Sequence, residues 1–226
     1  MTLTFNAADH IYRVDGRIVD SVSQIAQGFA FKGEPLFIDT RWYKASGTNR
    51  GSSVHEKIEA INRGGLAPSD FAGDDHEGYI NAFGRFRSDT GFVTRFAEVL
   101  VYHPALDYCG TVDMVGERDG VWAVADLKTG SPERWHALQL NAYRLALRDN
   151  RNLYQLSDRI DEHGAQIADP IENPLYGLNP AMRVLYLRKT GTYKYESEFK
   201  GESFDSPTFE NTWIGATHLR NWRMAA

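Results

Sequence analysis

One cysteine, Cys109, stands in 226 residues, which excludes an intramolecular disulfide framework and a four-cysteine zinc or iron–sulfur site. No apolar run approaches the roughly 18 residues of a membrane span. The opening MTLTFNAADHIYRV has neither the basic start nor the apolar core of a secretory signal. Positive charge is not in excess: 25 basic against 30 acidic residues leave a net charge of −5, which argues against a general polyanion-binding coat. A local basic channel stays allowed, because a field depends on how charges are distributed. No GxxxxGK[ST] string is present, so no P-loop motor is recognisable. Repeats, low-complexity tracts and charge blocks are missing too. These absences point to a soluble protein of a reducing compartment. The chain reads as a single domain over 1–226, long enough to bury a core without staples.

What is present is local patterning. Phe5 to Val14 and Arg17 to Val19 predict short strands around the hairpin dipeptide Asp15-Gly16, and Ser21 predicts an N-cap for a short helix through Gln27. Residues 1–30 thus form an N-terminal hairpin and helix. Leu36 to Arg63 is helical in pattern, interrupted near Gly47 and resumed at Thr48, with an apolar stripe of Val54, Ile58 and Ile61 and a stop at Gly64-Gly65. A third helix is expected from Asp74 to Ser88, with Tyr79, Phe83 and Phe86 on one side. The period then changes. Phe92 to Tyr102, Cys109 to Gly116 and Val121 to Thr129 are rich in Val, Phe and Tyr and predict a β-meander. Ser131-Pro132-Glu133 predicts the start of a helix running to Arg148. Asn150 to Asn179 is polar with two prolines and predicts an insertion loop over 150–180. A hairpin around Gly191 and a last helix from Ser206-Pro207, carrying Trp213, Leu219 and Trp222, complete the chain. The class is α/β (α+β): a central mixed β-sheet built on an antiparallel meander and flanked by helices.

Register inside the meander singles out acids. A two-residue loop at Asp119-Gly120 sets Asp113 directly opposite Asp126, with Cβ atoms roughly 4.5–5.5 Å apart. Facing like charges destabilise a sheet and call for a compensating charge: either a divalent cation or simply Lys128, which shares the face of Asp126 by the two-residue period. A four-residue loop from Pro104 to Asp107 also brings Glu98 opposite Asp113. Carboxylates and water suit Mg²⁺ or Mn²⁺ better than zinc. His55 lies on the helix after Thr48, but position 59 is Glu, so the two-histidine zinc protease pattern is absent. A lone helical histidine is ordinarily structural or solvent-facing unless its helix packs over the acids. Gln139 and Tyr143 are four apart and share one helix face.

Gly110-Thr111-Val112-Asp113, then Asp126-Leu127-Lys128-Thr129-Gly130, then Gln139-x-x-x-Tyr143, preceded by a helical His55, resembles the PD-(D/E)XK nuclease superfamily and most of all its RecB-like exonuclease branch. The hairpin and Ser-Val-Ser-Gln helix from Tyr12 to Ile25 looks like the start of phage-type members. The resemblance implies a restriction-endonuclease-like core. It assigns His55, Asp113, Asp126 and the Leu127 backbone carbonyl as ligands of Mg²⁺ or Mn²⁺, and Glu98 as an acid of some members near the metal. Lys128 matches the lysine that positions or activates the attacking water, and Gln139 and Tyr143 match the motif that orients the site and contacts DNA. Val112 replaces the usual proline. The cysteines that hold an iron–sulfur cluster in some relatives are absent, so no cluster is implied.

The resemblance further implies a Mg²⁺-dependent deoxyribonuclease, an exonuclease acting on single-stranded or duplex DNA ends in recombination, repair or replication. The implied location is the cytoplasm of a bacterial or phage-infected cell, away from membranes, with a single-strand-annealing or other recombination protein as partner. A structure-specific endonuclease, an RNA-processing nuclease and a non-catalytic DNA-binding subunit are the alternatives. Arg50, Arg134, Arg144 and Arg148 are candidate DNA contacts, as are the basic-aromatic runs Arg41, Trp42, Tyr43, Lys44 and Arg85, Phe86, Arg87.

Overall fold

The computed structural model describes residues 1–30 and 45–224. The expected start of a helix at Leu36 and the run Arg41, Trp42, Tyr43, Lys44 lie outside the described residues. In chain order, β1 (Leu3–Asn6), β2 (Ile11–Val14) and β3 (Arg17–Val19) precede α1 (Val22–Ala30), α2 (Ala45–Asn62) and α3 (Glu77–Thr90). The meander β4 (Val93–His103), β5 (Tyr108–Arg118) and β6 (Val121–Lys128) leads into α4 (Trp135–Asp149). Then follow β7 (Asn152–Ile160), β8 (Gln166–Glu172), β9 (Ala181–Leu187), β10 (Tyr193–Glu196), a small hairpin β11 (Glu198–Phe199) and β12 (Glu202–Ser203), and α5 (Pro207–Met224).

The hairpin registers are those the turn dipeptides demand. Val14 pairs with Arg17 and Arg118 with Val121, leaving Asp15-Gly16 and Asp119-Gly120 as two-residue loops. All four residues take left-handed φ, from +49° to +79°, as a type I′ turn requires. His103 pairs with Tyr108, so Pro104 to Asp107 is the four-residue loop. At the start of α1, Ser21 Oγ accepts from Gln24 N–H at 3.2 Å and Gln24 Oε1 accepts from Ser21 N–H at 2.7 Å, a reciprocal capping box.

Among the described residues one ten-stranded sheet runs in the order β10-β9-β6-β5-β4-β7-β8-β1-β2-β3. It is mixed, because β9 lies parallel to β6 and the other named pairs are antiparallel. Helices cover both faces of its centre. α1, α4 and α5 pack Val22, Leu140 and Trp213 over Val124. α2 and α3 pack Val54, Ile58 and Phe83 over Met114 and Leu127. Each such fully buried side chain contributes about 1.5–3 kcal/mol relative to exposure.

The far strands curl back. β5 pairs with β6 only from Met114 onward, and the free edge of its first half takes up the chain before α1. Ser21 bridges Cys109, Cys109 N–H donates to the Asp20 carbonyl at 3.0 Å, and the Tyr12 hydroxyl meets Thr111 Oγ1 at 2.8 Å. Strands β5, β4, β7, β8, β1, β2 and β3 thereby curl round a cluster of Leu3, Tyr12, Leu100 and Cys109, closed by the Ser21–Cys109 bridge.

Three local expectations need correction. α2 runs unbroken through Gly47, because one helical glycine costs only about 1 kcal/mol and the Val54, Ile58 and Ile61 stripe is buried. α4 starts at Trp135 rather than Ser131. The His136 ring accepts the Glu133 N–H at 3.3 Å and is itself held by Tyr186, so the cap forms later than the Ser-Pro signal. The segment 150–180 is not a loop: β7 and β8 form a hairpin inside the sheet. Its apolar code is short, since only Leu153, Tyr154 and Ala168 are buried along the two strands while one face stays wet. Pro170 lies beyond the Gln166–Ala168 stretch that bonds β1, where its missing N–H does no harm.

Candidate metal centre and its cavity

The meander assembles the acids as its register requires. Met114 pairs with Ala125, so Asp113 and Asp126 come next in line across β5 and β6. Ala97 pairs with Met114 and Val99 with Val112, so Glu98 faces Asp113 across β4. Glu98 itself takes a φ of +50°. A left-handed residue inside a strand costs of order 1–3 kcal/mol and re-aims its side chain.

α2 packs over this patch and delivers His55. Its Nε2 lies 3.1 Å from the Leu127 carbonyl oxygen, and its Nδ1 lies 3.6 Å from Asp113 Oδ1. The other Asp113 oxygen accepts the Leu127 N–H at 2.6 Å, which pins the carboxylate between strand and helix. Ligand atoms of His55, Glu98 and Asp113 all lie within 4.8 Å of one another. Asp126, only 1% exposed, instead holds Lys128 Nζ at 2.5 Å through Oδ2, while its Oδ1 has no hydrogen-bond partner among the described residues. Lys128 Nζ also sits 5.5 Å from the centre of the Trp135 ring.

The charges are strongly perturbed. Burial opposes charge on His55, but Asp113 and Glu98 outweigh it and lift the imidazole to about 9. Burial, reinforced by Asp113, holds the Glu98 carboxyl well above the usual carboxylate range. Burial pushes Asp126 up to about 6 against the pull of Lys128, with Asp113 adding to the rise. For Asp113 burial is outweighed by His55, Lys128 and the Leu127 N–H, so it stays below its ordinary value. The patch thus attracts positive charge, and in the metal-free protein a proton on His55 supplies some of it. One imidazole, carboxylates, a peptide carbonyl and an orphaned buried carboxylate oxygen form a donor set that fits a hard divalent cation with some nitrogen tolerance, as Mg²⁺ or Mn²⁺ has.

Gln139 and Tyr143 stand beside the acids on one face of α4. Gln139 Nε2 donates to the Tyr143 hydroxyl at 2.9 Å, and Gln139 Oε1 is buried without a hydrogen-bond partner among the described residues. Gly110 makes this possible: a Cβ there would lie 2.7 Å from Tyr143 Cε1 and 3.1 Å from Val22 Cγ2. The ring therefore packs this closely on β5 only because position 110 has no side chain.

A cavity of about 210 Å³ joins these groups, lined by His55, Glu98, Asp113, Lys128, Gln139 and Tyr143. Its opposite wall is formed by His10 and Tyr12 of the N-terminal hairpin and by Ser21 and Ser23 at the start of α1. Sequence reasoning did not assign these wall residues to the site. Tyr12 meets Thr111 across 99 positions, and no local pattern encodes that contact. The only signal was the Ser-Val-Ser-Gln capping string.

The expected DNA contacts divide. Arg50 approaches Thr129 Oγ1 at 3.5 Å, at the end of the Asp126 strand. Arg134 is half exposed at the start of α4, paired with Glu202 at 3.0 Å and stacked over Phe209. Arg144 requires correction as a contact. Its side chain is 7% exposed and bonds Asn141, Asp205 and Glu210, so it locks α4 to α5 and has no reach to a substrate. Arg148 pairs with Asp149 and Glu210 on the same side. Phe86 is fully buried between α3 and the sheet, so Arg85-Phe86-Arg87 offers no stacking ring.

No curated protein matches the chain. Family comparison matches residues 76–210, more than half of the 226, covering the meander, Asp113, Asp126, Lys128 and the Gln139–Tyr143 face. Together with the mixed sheet flanked by helices, that match shows that the chain belongs to the PD-(D/E)XK nuclease superfamily.

Proposed function

We propose that the protein is a Mg²⁺- or Mn²⁺-dependent deoxyribonuclease that acts as an exonuclease on free DNA ends and single-stranded flaps. Superfamily membership carries the coarser part, a metal-dependent nuclease of DNA. The observation that carries the site assignment is the convergence of His55, Glu98 and Asp113 ligand atoms within 4.8 Å, in one cavity with Lys128. In this reading His55, Asp113, Glu98, Asp126 and the Leu127 carbonyl hold the cation. A bound divalent cation would supply charge neutralisation for the phosphodiester and a lowered pKa for its water.

The chain's own groups do the rest. The Lys128 ammonium gives a fixed positive charge where negative charge develops on the phosphoryl oxygens. Gln139 Oε1 offers an unfilled acceptor for an O–H of the attacking water, and the Tyr143 hydroxyl fixes that amide's orientation. Trp135 and the buried face of α4 keep the lysine in a partly desolvated setting, where its charge acts more strongly.

Preference for ends is supported by the cavity's second wall. Tyr12 of β2 and the start of α1 line the same cavity as the acids, a space of about 210 Å³ that argues for one strand rather than a closed duplex. A role in recombination, repair or replication and a RecB-like, phage-type placement rest on the motif resemblance alone. The test is the initial cleavage rate on a linear strand and on a covalently closed relaxed circle of the same sequence, with Mg²⁺ and with EDTA. Metal-dependent cutting of the linear strand with little of the circle is expected. Equal rates on both substrates reject the exonuclease reading, and full activity in excess chelator rejects the metal site.

A further inference from the structure

A second cavity, of about 260 Å³, opens beside the first and belongs to neither wall of it. It exists because the sheet splits. β4 and β7 share a single residue pair, Leu100 with Tyr154, and toward the start of β4 no further pairs form between these strands among the described residues. β4 bends away there, with a register shift between Thr94 and Phe96 and the left-handed Glu98 just beyond. Bulged strands of this kind twist out of their neighbour's reach. Arg95 and Phe96 of β4, Gln155 of β7, and Asn62 and Arg63 at the end of α2 line the opening.

Two links tie it to the metal centre. Glu98 lines the first cavity, while its neighbours Ala97 and Val99 line the second. His55 and Asn62 are seven residues apart on α2, hence on one face and separated by roughly 10 Å of helix. A short stretch of nucleic acid strand can span such a distance.

The lining is chemically specific. Arg63 and Arg95 are each about half exposed, at 53% and 52%, and pair with Glu59 and Glu117 at 2.5 and 2.6 Å. Exposed pairs of this type are weak, so a phosphate can replace either acid. Asn62 Oδ1 is buried with no hydrogen-bond partner among the described residues. An acceptor left open beside two guanidinium groups calls for a ligand that carries N–H donors as well as negative charge. A nucleotide has both, whereas inorganic phosphate has no N–H donor.

We propose that this cleft is a subsite for one unpaired nucleotide of the substrate strand, a short way along that strand from the scissile phosphate. Arg63 and Arg95 hold its phosphates and Asn62 accepts from its base. The inference rests on the nuclease reading for the path of the strand, but it is a statement about binding and is tested as such. Anisotropy of a dye-labelled 12-nucleotide single strand in Ca²⁺ is followed against salt for wild type, Arg63→Gln/Arg95→Gln and, as an exposed control, Arg159→Gln. Each lost phosphate contact on a single strand lowers the slope of log K against log salt by about 0.7, so the double variant should lose about 1.4 and the control nothing. Asn62→Leu should weaken binding of the ordinary strand and leave binding of a fully abasic strand unchanged. An unchanged slope in the double variant, or no binding by wild type, overturns the subsite. Cleavage of the same strand in Mg²⁺ is read separately. Cutting with an unchanged slope removes the subsite and leaves the nuclease reading, and the expected slopes without cutting do the reverse.

Discussion

Gly110→Ala tests the packing that brings Tyr143 to the acids, and two effects of opposite sign compete. Glycine inside a strand costs about 0.5–1 kcal/mol relative to alanine in conformational entropy, so in open space the substitution would stabilise. Position 110 is not open: the new methyl would sit 2.7 Å from Tyr143 Cε1 and 3.1 Å from Val22 Cγ2, each inside ordinary van der Waals contact. Tyr143 is 4% exposed and Val22 fully buried, so neither can swing into solvent. Overpacking of this kind costs about 1–3 kcal/mol and should win. Set against the entropic gain, the net loss is about 0–2.5 kcal/mol, and at roughly 2–4 °C per kcal/mol for a chain of this size the melting temperature should fall by up to about 10 °C. The displaced ring also breaks the 2.9 Å bond to Gln139, so cleavage should fall with stability. A double-mutant cycle assigns the cause: in a Tyr143→Ala background the added methyl has room, and its cost should shrink by about 1 kcal/mol or more. A rise in melting temperature for Gly110→Ala alone, measured by calorimetry, would refute the close packing.

Lys128→Ala should lower kcat by about 10²-fold or more with the fold retained by circular dichroism, and a near wild-type rate would make Lys128 a mere partner of Asp126. His55→Ala should abolish most of the thermal stabilisation that Mn²⁺ gives the wild type, about 2.7 kcal/mol at a hundredfold excess over Kd, and an equal shift in both proteins would return His55 to a structural role. Arg144→Leu should destabilise by about 2–3 kcal/mol, less than for a fully buried pair because Asp205 keeps water, without changing the salt dependence of DNA binding; a reduced salt slope would restore it as a DNA contact. His136 is held neutral, first by burial and then by Lys128, well below its ordinary 6.5. The unfolded chain therefore takes up a proton that the folded chain refuses. The stability that His136 contributes is complete above about 6.5 and is lost as pH falls below it, approaching about 1.4 kcal/mol per unit. His136→Asn should flatten that slope in urea titrations between pH 7.5 and 5.5, and an unaltered slope removes His136 from the account.

Turn chemistry and alternation are local, and what depends on them was legible from the sequence. Asp-Gly dipeptides strongly favour a two-residue loop, so the β5–β6 register, and with it the alignment of Asp113 and Asp126, was readable from Asp119-Gly120. The facing of Glu98 and Asp113 was less legible, because several loop lengths fit between β4 and β5 and only the structure fixes Pro104 to Asp107 as a four-residue loop. The buried stripe of α2 and the shared face of Gln139 and Tyr143 follow from helical period. Tertiary structure decided the rest, because it depends on meetings between distant segments that no short-range pattern records. The β7–β8 hairpin buries too few side chains to announce itself and is a strand pair only because β1 and β4 lie beside it. Arg144 looked like a substrate contact until α5 supplied Glu210 and Asp205. The N-terminal wall of the cavity arises because β5 outruns β6 and its free edge must bond something, and the chain at Ser21 is what reaches it. Residue types and spacing determined which side chains could do the chemistry; the need to satisfy backbone edges and buried charges across the whole sheet determined what stands around them.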